Sequence, residues 1–320
     1  MKASIAILLG ATTLNCGVSA TSYYVSNYGD DTATGTSADM PWKTLSHSST
    51  VRLGPEDSLL LERGSVFADD LLNLAFPSGY IGSFGNTTLP RPQIVRHWAP
   101  GVPACLTLLN PTTLTVDGLH FAGCSQAILI DVTTNSTSSD VALTNNFLRD
   151  IRWIDEAYNP SKSSWGTGIL LIGDGSMENL TISNNVGIRL DTFFGMAGPA
   201  VNTLDLNSNT VSKCGFNCVN IEQGNNMRLR NSVFLHDTSP RLFMYGTTDV
   251  IIGTVTGDNA IEVRMPPHGR TRRVLRFGFS ADQFCPFVTR IVISTLAENM
   301  KPDLMDVPSI SRPRQRGSKS

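Results

Sequence analysis

A short Asn-rich motif recurs along the middle of this 320-residue chain at nearly constant spacing. Each copy joins apolar or β-branched residues to Asn, Ser or Gly, and the copies are VDGLHF from 116, LTNNFL from 143, ISNNVG from 182, LNSNTV from 206, LRNSVF from 229 and IGTVTG from 252. The last three intervals are 24, 23 and 23 residues, and the earlier ones, 27 and 39, indicate the same repeat with insertions. Such self-similarity is the signature of a repeat architecture.

A second set of apolar segments alternates with the first: AILID from 127, GILLIG from 168, CVNIE from 218 and RLFMY from 241. Gly, Asn and Thr are poor helix formers, so short strands explain both sets better than helices do. Two strand types per unit predict the coils of a solenoid, with Asn in the left-handed corners and its amide bonded to the next coil. An antiparallel sandwich is the alternative, but it has no reason to place Asn at one phase of this period.

Three early segments carry a family resemblance: YYVSNYGDDTATGTSADMPWKTL from 23, GPEDSLLLERGSVF from 54 and GYIGSFGNTTLPRPQIV from 79. Together with the repeats they resemble secreted right-handed parallel β-helix proteins of the pectate-lyase-like superfamily, which has the pectin lyase fold. The resemblance covers about residues 22–262. It implies an all-β, single-stranded right-handed parallel β-helix with a small N-terminal cap, and action on polysaccharides, often acidic ones. Lyases, hydrolases and isomerases share this scaffold, so the fold does not choose among them.

The two ends of the chain differ from its middle. A secretory signal peptide over 1–20 is predicted by Lys2, a short apolar run and the small residues 18–20. The apolar run is too short to span a membrane. We expect a β-helix domain over 21–262 and a basic, irregular tail over 263–320, because the net charge changes from −9 before residue 263 to +7 after it. The tail is a divergent cap, a basic arm or the product of a wrong gene model. We therefore expect a secreted, extracellular, monomeric protein with no membrane partner and no nucleic-acid partner.

Two further features are typical of a secreted protein. Acceptor triplets for N-glycosylation occur at Asn86, Asn135 and Asn179. The mature chain would keep five cysteines, for which we predict the pairs Cys214–Cys218 and Cys105–Cys124, with Cys285 left over. Buried, unpaired thiols are the alternative.

The richest cluster of chemically useful residues is RDIRWIDEAYNPSK, residues 149–162, which falls in the longest insertion of the repeat. Under a lyase mechanism, Ca²⁺ held by carboxylates neutralises a uronate carboxylate and a base with a lowered pKa removes the neighbouring proton. The candidate catalytic residues are Arg152, Lys162, Asp155 and Glu156; the candidate metal ligands are Asp150 and Asp174; the candidate sugar-stacking residues are Trp153, Tyr158 and Trp165. A solvated loop with local ion pairs is the alternative.

The remaining candidates are fewer. Arg189 and Asp191 lie together near a strand end, and Asp69 and Asp70 lie in an early strand or turn. Hydrolysis requires two carboxylates facing each other across the scissile bond. Asp155 and Glu156 are adjacent and would point to opposite sides of a strand. We therefore predict a polysaccharide-active protein using Ca²⁺-assisted β-elimination, with glycoside hydrolysis as the second reaction. A non-catalytic carbohydrate-binding or surface solenoid, such as a truncated family member, is the alternative.

Overall fold

The structure is a computed structural model that describes residues 19–97, 104–151, 166–214, 218–222, 224–236, 241–245, 248–252, 255–257, 260–264, 274–277 and 291–293. These residues form one four-residue helix and three sheets of ten, nine and eight strands. Predictions for Arg152, Lys162, Asp155, Glu156, Trp153, Tyr158 and Trp165, and for most of the 1–20 and 263–320 segments, lie outside the described residues.

The elements follow the chain in a repeating order of three strands per coil. The cap consists of β1 (Ser22–Val25) and α1 (Leu45–Ser48). The first coils are β2 (Ser58–Glu62), β3 (Val66–Ala68), β4 (Leu72–Ala75); β5 (Gly79–Phe84), β6 (Gln93–Val95), β7 (Leu106–Leu109); β8 (Thr112–Asp117), β9 (His120–Ala122), β10 (Gln126–Val132); and β11 (Thr137–Thr144), β12 (Phe147–Ile151), β13 (Thr167–Gly173).

The later coils continue the same order. They are β14 (Ser176–Ser183), β15 (Val186–Leu190), β16 (Thr192–Ala197); β17 (Ala200–Asn207), β18 (Thr210–Cys214), β19 (Val219–Glu222); β20 (Gly224–Arg230), β21 (Ser232–His236), β22 (Arg241–Tyr245); and β23 (Thr248–Ile252), β24 (Val255–Gly257), β25 (Ala260–Arg264). Two further strands, β26 (Val274–Phe277) and β27 (Ile291–Ile293), pair antiparallel with β25 and β23.

The first, second and third strands of successive coils stack in parallel register into sheets A, B and C, respectively. This arrangement confirms the predicted right-handed parallel β-helix. One detail of the prediction is wrong: each coil has three strands rather than two. Each copy of the Asn-rich motif contains the end of a sheet A strand, the corner, and the start of a sheet B strand. The pattern therefore makes two strands look like one.

The core is the interior of the coils. Alternate side chains of every sheet point inward, as Leu59 and Leu61 do in sheet A and as Leu106 and Leu108 do in sheet C, and all four are fully buried. Because each inward residue stacks on the equivalent residue of the next coil, the core is continuous along the rod. It supports three outward faces and the corners between them.

The corner between sheets A and B turns in two residues that play different roles. The first residue has a left-handed backbone, as at Asn145 (φ 52°) and Asn184 (φ 56°). The second is a buried amide: the backbone N–H of Asn146 donates to Asn185 Oδ1 at 2.9 Å, and that of Asn185 donates to Asn209 Oδ1 at 3.0 Å. Both predicted roles of Asn are confirmed, but on neighbouring residues.

The N-terminal cap closes the first coil. Strand β1 extends sheet A, and the Trp42 indole stacks on Tyr23 with ring centroids 5.2 Å apart. The left-handed Gly35 (φ 68°) lies flat against that indole, where an added Cβ would come within 2.1 Å of the ring. Asp70 caps helix α1 by accepting from the Leu45 and Ser46 backbone N–H groups at 2.6 and 3.0 Å. The cap therefore covers an end that would otherwise expose unpaired strand edges.

Candidate functional site

The corner between sheets B and C, here called the B/C corner, is the irregular edge of the rod. Its turns differ in length from coil to coil, and the longest connection runs from Ile151 to Gly166. Both ends of that connection are held by one residue: the Asp191 carboxylate accepts from the Gly166 backbone N–H at 3.1 Å, and the Asp191 backbone N–H donates to the Ile151 carbonyl at 3.1 Å. The segment that carries most of the predicted site residues is therefore anchored here.

Charged residues occupy equivalent positions of successive coils at this corner. Register across sheet B places Asp69, Arg96, Gly123, Asp150 and Arg189 one above another. Neighbouring parallel strands lie about 4.8 Å apart, so the column from Asp69 to Arg189 is roughly 20 Å long. Gly123 supplies no side chain, which leaves a gap in the column between Arg96 and Asp150.

The upper part of the column is an arginine–carboxylate cluster. The Arg189 guanidinium binds both carboxylate oxygens of Asp150, with Nη2 2.6 Å from Oδ2, and Arg149 Nε lies 3.2 Å from Oδ2. The hydrogen bonds and charge of Asp150 raise the pKa of Arg189 above its ordinary value. All three side chains are 40–44% exposed, so they present alternating donors and acceptors to solvent.

The lower part of the column is a histidine–carboxylate pair. Asp69 accepts from the His97 backbone N–H at 2.9 Å, and its second oxygen lies 2.8 Å from His97 Nδ1. The hydrogen bonds from His97 lower the pKa of Asp69. The His97 side chain is 81% exposed, so the other edge of its ring is open to ligands.

In the described part of the chain, two side-chain nitrogen atoms on the sheet B side are buried without a hydrogen-bond partner: Arg96 Nε in the column, and His120 Nε2 at the A/B end of β9. His120 lies on sheet B, where its ring contacts that of Phe147 at a centroid distance of 4.7 Å. Burial, together with the charges of Arg149 and Arg91, lowers the pKa of His120 to about 4, so the imidazole is neutral at pH 7.

The described residues do not fit the predicted Ca²⁺ site. Both oxygens of Asp150 bind Arg189, whereas Asp174 is an exposed turn residue between β13 and β14. Across the described part of the chain, no group of three His, Cys, Asp or Glu side chains could hold a metal ion. Ca²⁺ assistance therefore stays a prediction that depends on residues 152–165.

The sequence neighbours Arg189 and Asp191 do not form a pair in the structure. Arg189 and Asp191 are neighbours in the chain, but Arg189 binds Asp150, 39 residues away, while Asp191 binds the Gly166 backbone. Reasoning from the sequence also missed the Asp69–His97 pair, because its partners belong to different coils. Both residues follow the sheet B strand of their coil, so their proximity can be predicted once the three strands of each coil are known.

Sheet A carries a separate polar cluster on its outward face. The Asp117 carboxylate accepts from Thr144 Oγ1 and Asn145 Nδ2 at 2.6 Å and from the Tyr80 hydroxyl at 3.3 Å. Burial and the Asp117 charge raise the pKa of Tyr80. Three internal donors already satisfy this carboxylate, so it is less suited to bind a ligand than the B/C corner is.

The remaining predicted residues are placed as follows. Cys105 bonds Cys124, and Cys214 bonds Cys218, with Cα–Cα distances of 5.8 and 5.4 Å. Both disulfides lie at the B/C corner. The candidate glycosylation residues Asn86, Asn135 and Asn179 are all exposed, and glycosylation stays a prediction. No helix among the described residues is long and apolar enough to cross a membrane.

Comparisons with known proteins add the following. No family model matches the chain. Lacto-N-biosidase of Bifidobacterium longum subsp. longum is 38% identical over 100 residues, which is 28% of this chain and 6% of that enzyme. A GH136 lacto-N-biosidase from Eubacterium ramulus has a similar structure, with a TM-score of 0.50 and 15% identity over 72% of this chain and 55% of that chain. This chain therefore spans about half of the solved relative and a small part of the curated one.

Proposed function

We propose that this protein is a carbohydrate-active β-helix protein that binds a saccharide at the B/C corner. The observation that carries the proposal is the 38% identity with a lacto-N-biosidase over 100 residues. Since the match covers 6% of that enzyme, it supports the class of ligand more than any whole activity. The shared solenoid fold is consistent with this class, but it does not decide function by itself.

The chemistry of the corner suits a sugar. A saccharide hydroxyl both donates and accepts, so it is bound best where donors and acceptors alternate. The Asp150–Arg189–Arg149 cluster offers carboxylate oxygens beside guanidinium N–H groups, all of them partly exposed. Below the gap at Gly123, the exposed His97 ring adds a group that can donate or accept.

Glycoside hydrolysis is the reaction that we propose, ahead of β-elimination. The curated relative is named as a biosidase. Hydrolysis needs two carboxyl groups about 5–10 Å apart, according to whether configuration is retained or inverted. Asp155 and Glu156 are our candidates for one of these two groups, because Asp191 holds both ends of their segment at the corner. Since adjacent residues on a strand point to opposite sides, we do not propose them as the facing pair. Trp153, Tyr158 and Trp165 are the proposed sugar-stacking residues, and Arg152 and Lys162 would be the bases under elimination.

A non-catalytic carbohydrate-binding protein is the second candidate. The observation that favours it is the bidentate Arg189–Asp150 contact, which occupies the carboxylate next to Ile151, where the insertion begins. A carboxylate held by a guanidinium keeps a lowered proton affinity and is a poor general acid. Such a pair still binds hydroxyl groups.

The deciding experiment uses the full chain in three assays. Release of p-nitrophenol from a p-nitrophenyl lacto-N-bioside would support hydrolysis. Pectate, alginate and glycosaminoglycans with Ca²⁺ or with a chelator, followed by the absorbance of the unsaturated product, would detect Ca²⁺-assisted elimination. Calorimetric titration with the same saccharides reports binding. Binding without turnover would favour the second candidate, and no binding to any saccharide would overturn the proposal.

A matched pair of variants tests the location. Arg189→Met removes the guanidinium at the B/C corner, whereas Arg230→Met removes a similarly exposed guanidinium that binds Asp205 on sheet A at 2.5 Å. We expect roughly tenfold weaker saccharide binding for the first variant, the loss of about one charge-assisted hydrogen bond, and no change for the second. Equal effects in both variants would argue against the corner.

A further inference from the structure

Phe76 has a strained backbone at the corner between sheets C and A, here called the C/A corner. It follows β4, precedes Pro77 and has φ 53°. This left-handed region is accessible to Gly, Asn and Asp at modest cost, but it is a clear outlier for a bulky side chain. A residue in such a conformation is a reason to look for a function.

The other left-handed positions show what the corners require. Every other non-glycine residue with positive φ in the described part of the chain is polar, and most are Asn or Asp. One coil further along, the same corner is formed by Asn110 (φ 48°), whose amide Oδ1 accepts from the Thr133 backbone N–H at 2.8 Å. Asn therefore serves this corner well, and the turn itself gives no reason for a phenylalanine.

The Phe76 side chain does not belong to the core. It is 53% exposed, although the adjacent Pro77 is buried. Its backbone is fixed, because the Phe76 N–H donates to the Leu109 carbonyl at 2.7 Å. The result is an aromatic ring held in solvent on a rigid support, which costs exposed apolar area as well as backbone strain.

Phe76 lies at the C/A end of the outward face of sheet C, which carries both apolar and polar side chains. Register partners beside it in successive coils are Ala75, Leu109, Asp131 and Ile172, and the neighbouring column contains Asn73, Thr107, Leu129 and Leu170. Seven residue steps along β4 and its flanking residues, roughly 20 Å of extended chain, separate Phe76 from Asp69 at the B/C corner. A saccharide held at the B/C corner therefore reaches Phe76 across this face only if it is about that long.

We propose that Phe76 is a sugar-stacking residue that receives the apolar face of a pyranose ring at the far end of the saccharide. This inference rests on the proposed function. One face of a pyranose carries C–H groups and packs on an aromatic ring, while its rim hydroxyls stay in water. The fixed backbone pre-organises the ring, so little conformational freedom is lost when the sugar binds.

The test combines affinity with thermal stability. Phe76→Gly and Phe76→Asn suit the left-handed backbone and remove the ring, whereas Phe76→Trp keeps an aromatic surface. Tyr28→Ala is the control, because Tyr28 is an 85% exposed aromatic residue in the cap without positive φ. Calorimetric titration uses two probes that are at least about 20 Å long, an oligosaccharide that ends in a lacto-N-biose unit and an oligogalacturonate, with the unfolding midpoint measured for every variant.

We expect Phe76→Gly and Phe76→Asn to bind roughly tenfold more weakly than the parent while their unfolding midpoints stay equal or rise. Phe76→Trp and Tyr28→Ala should keep the parent affinity. If the parent binds and Phe76→Gly binds equally well, the stacking role is overturned while the proposed function stands. Lower midpoints in both Gly and Asn variants would assign Phe76 a structural role instead. If the parent binds neither probe, this inference fails together with the proposed function.

Discussion

The A/B and B/C corners of this rod use polar residues in opposite ways. At the A/B corner the amides of Asn146, Asn185 and Asn209 point inward, are fully buried and bond to one another along the rod. At the B/C corner the charged side chains point outward, and Asp150 and Arg189 are each 40% exposed. The same change of chain direction is thus achieved once by an internal ladder and once by surface groups.

The difference follows from what each corner must satisfy. A buried amide must have all of its partners, so the A/B turns between β8 and β21 stay short, and Gly118, Asn145, Asn184, Ser208 and Asn231 share a left-handed first position. The earlier turn from β5 to β6, which has no such amide, spans residues 85–92. An outward corner has water as a partner and tolerates insertions. The B/C corner accordingly varies in length and is closed by two disulfides. Buried amides thus stabilise the A/B corner, whereas disulfides stabilise the B/C corner and leave its charged side chains exposed.

The largest expected effect on stability is at the A/B corner. Asn185→Leu removes the acceptor of the Asn146 N–H and the donor to the Leu143 carbonyl, both of them buried in the ladder. We expect a loss of about 3 kcal/mol or more in the free energy of unfolding, measured with urea. Asn184→Gly, at the exposed left-handed position of the same turn, is the control and should change stability by less than about 1 kcal/mol. Similar losses in both variants would show that the buried Asn amides do not stabilise the corner more than the exposed positions do.

The disulfides give the next effect, at the B/C corner. Removing Cys105–Cys124, which closes a separation of 19 residues, should cost about 3 kcal/mol, because the longer loop restricts the unfolded chain more. Removing Cys214–Cys218, with a separation of four, should cost about 2 kcal/mol. Double Cys→Ala variants compared by urea unfolding measure both. A larger loss for Cys214–Cys218 than for Cys105–Cys124 would show that contacts in the folded state matter more here than the length of the closed loop.

A smaller effect depends on pH and involves His120, which begins β9 beside the A/B corner. Its pKa is about 4 in the folded protein because burial disfavours the charged ring, against an ordinary value of 6.5. The unfolded chain therefore binds more protons between these values, so stability is full above pH 6.5 and falls as the pH drops toward 4. Because the ring is partly exposed, we expect the free energy of unfolding to fall by about 1–2 kcal/mol over this interval.

The measurement is the free energy of unfolding at pH 7 and pH 4.5 for the parent and for His120→Gln. The variant should lose less stability over this interval, since Gln does not titrate. A parallel pH profile for both proteins would contradict the buried neutral imidazole.

The smallest expected effect on stability is at the exposed ion pair. Arg189→Gln should leave the unfolding midpoint nearly unchanged, because partly exposed pairs contribute little and are screened by salt. The Arg230→Gln variant on sheet A should behave alike. A large drop in the midpoint for Arg189→Gln alone would mean that the exposed charges of the B/C corner stabilise the fold, and the contrast between the corners would be wrong.

The solenoid was predictable because its evidence is periodic. Each Asn corner recurs at 23 or 24 residues where no insertion intervenes, and a position that repeats in sequence stacks in space. The buried amide ladder followed from the same reasoning, through the phase of Asn146, Asn185 and Asn209. The third strand of each coil was missed, since sheet A and sheet B strands are separated by only two residues and read as one segment.

The insertion was predictable, but its place on the rod and the contacts around it were not. The length and charge of segment 149–162 indicated an insertion, and the three-strand coils show that it joins β12 to β13. The partner of Asp150 did not follow, because Arg189 is 39 residues away and an insertion lies between them. The insertion lengthens the sequence between the two residues but leaves their coils stacked. The regular spacing of 23 or 24 residues therefore cannot predict that Asp150 and Arg189 meet.

The sequence by itself determined the class of fold, the stacked Asn amides and the segment at which the chain departs from its repeat, because each depends on residues within one coil or on a regular period. Only the tertiary structure decided which charges meet at the B/C corner, that His120 is held neutral, and that Phe76 is left-handed. Those properties arise from register between coils and from burial by neighbouring strands, and neither quantity is local in the sequence.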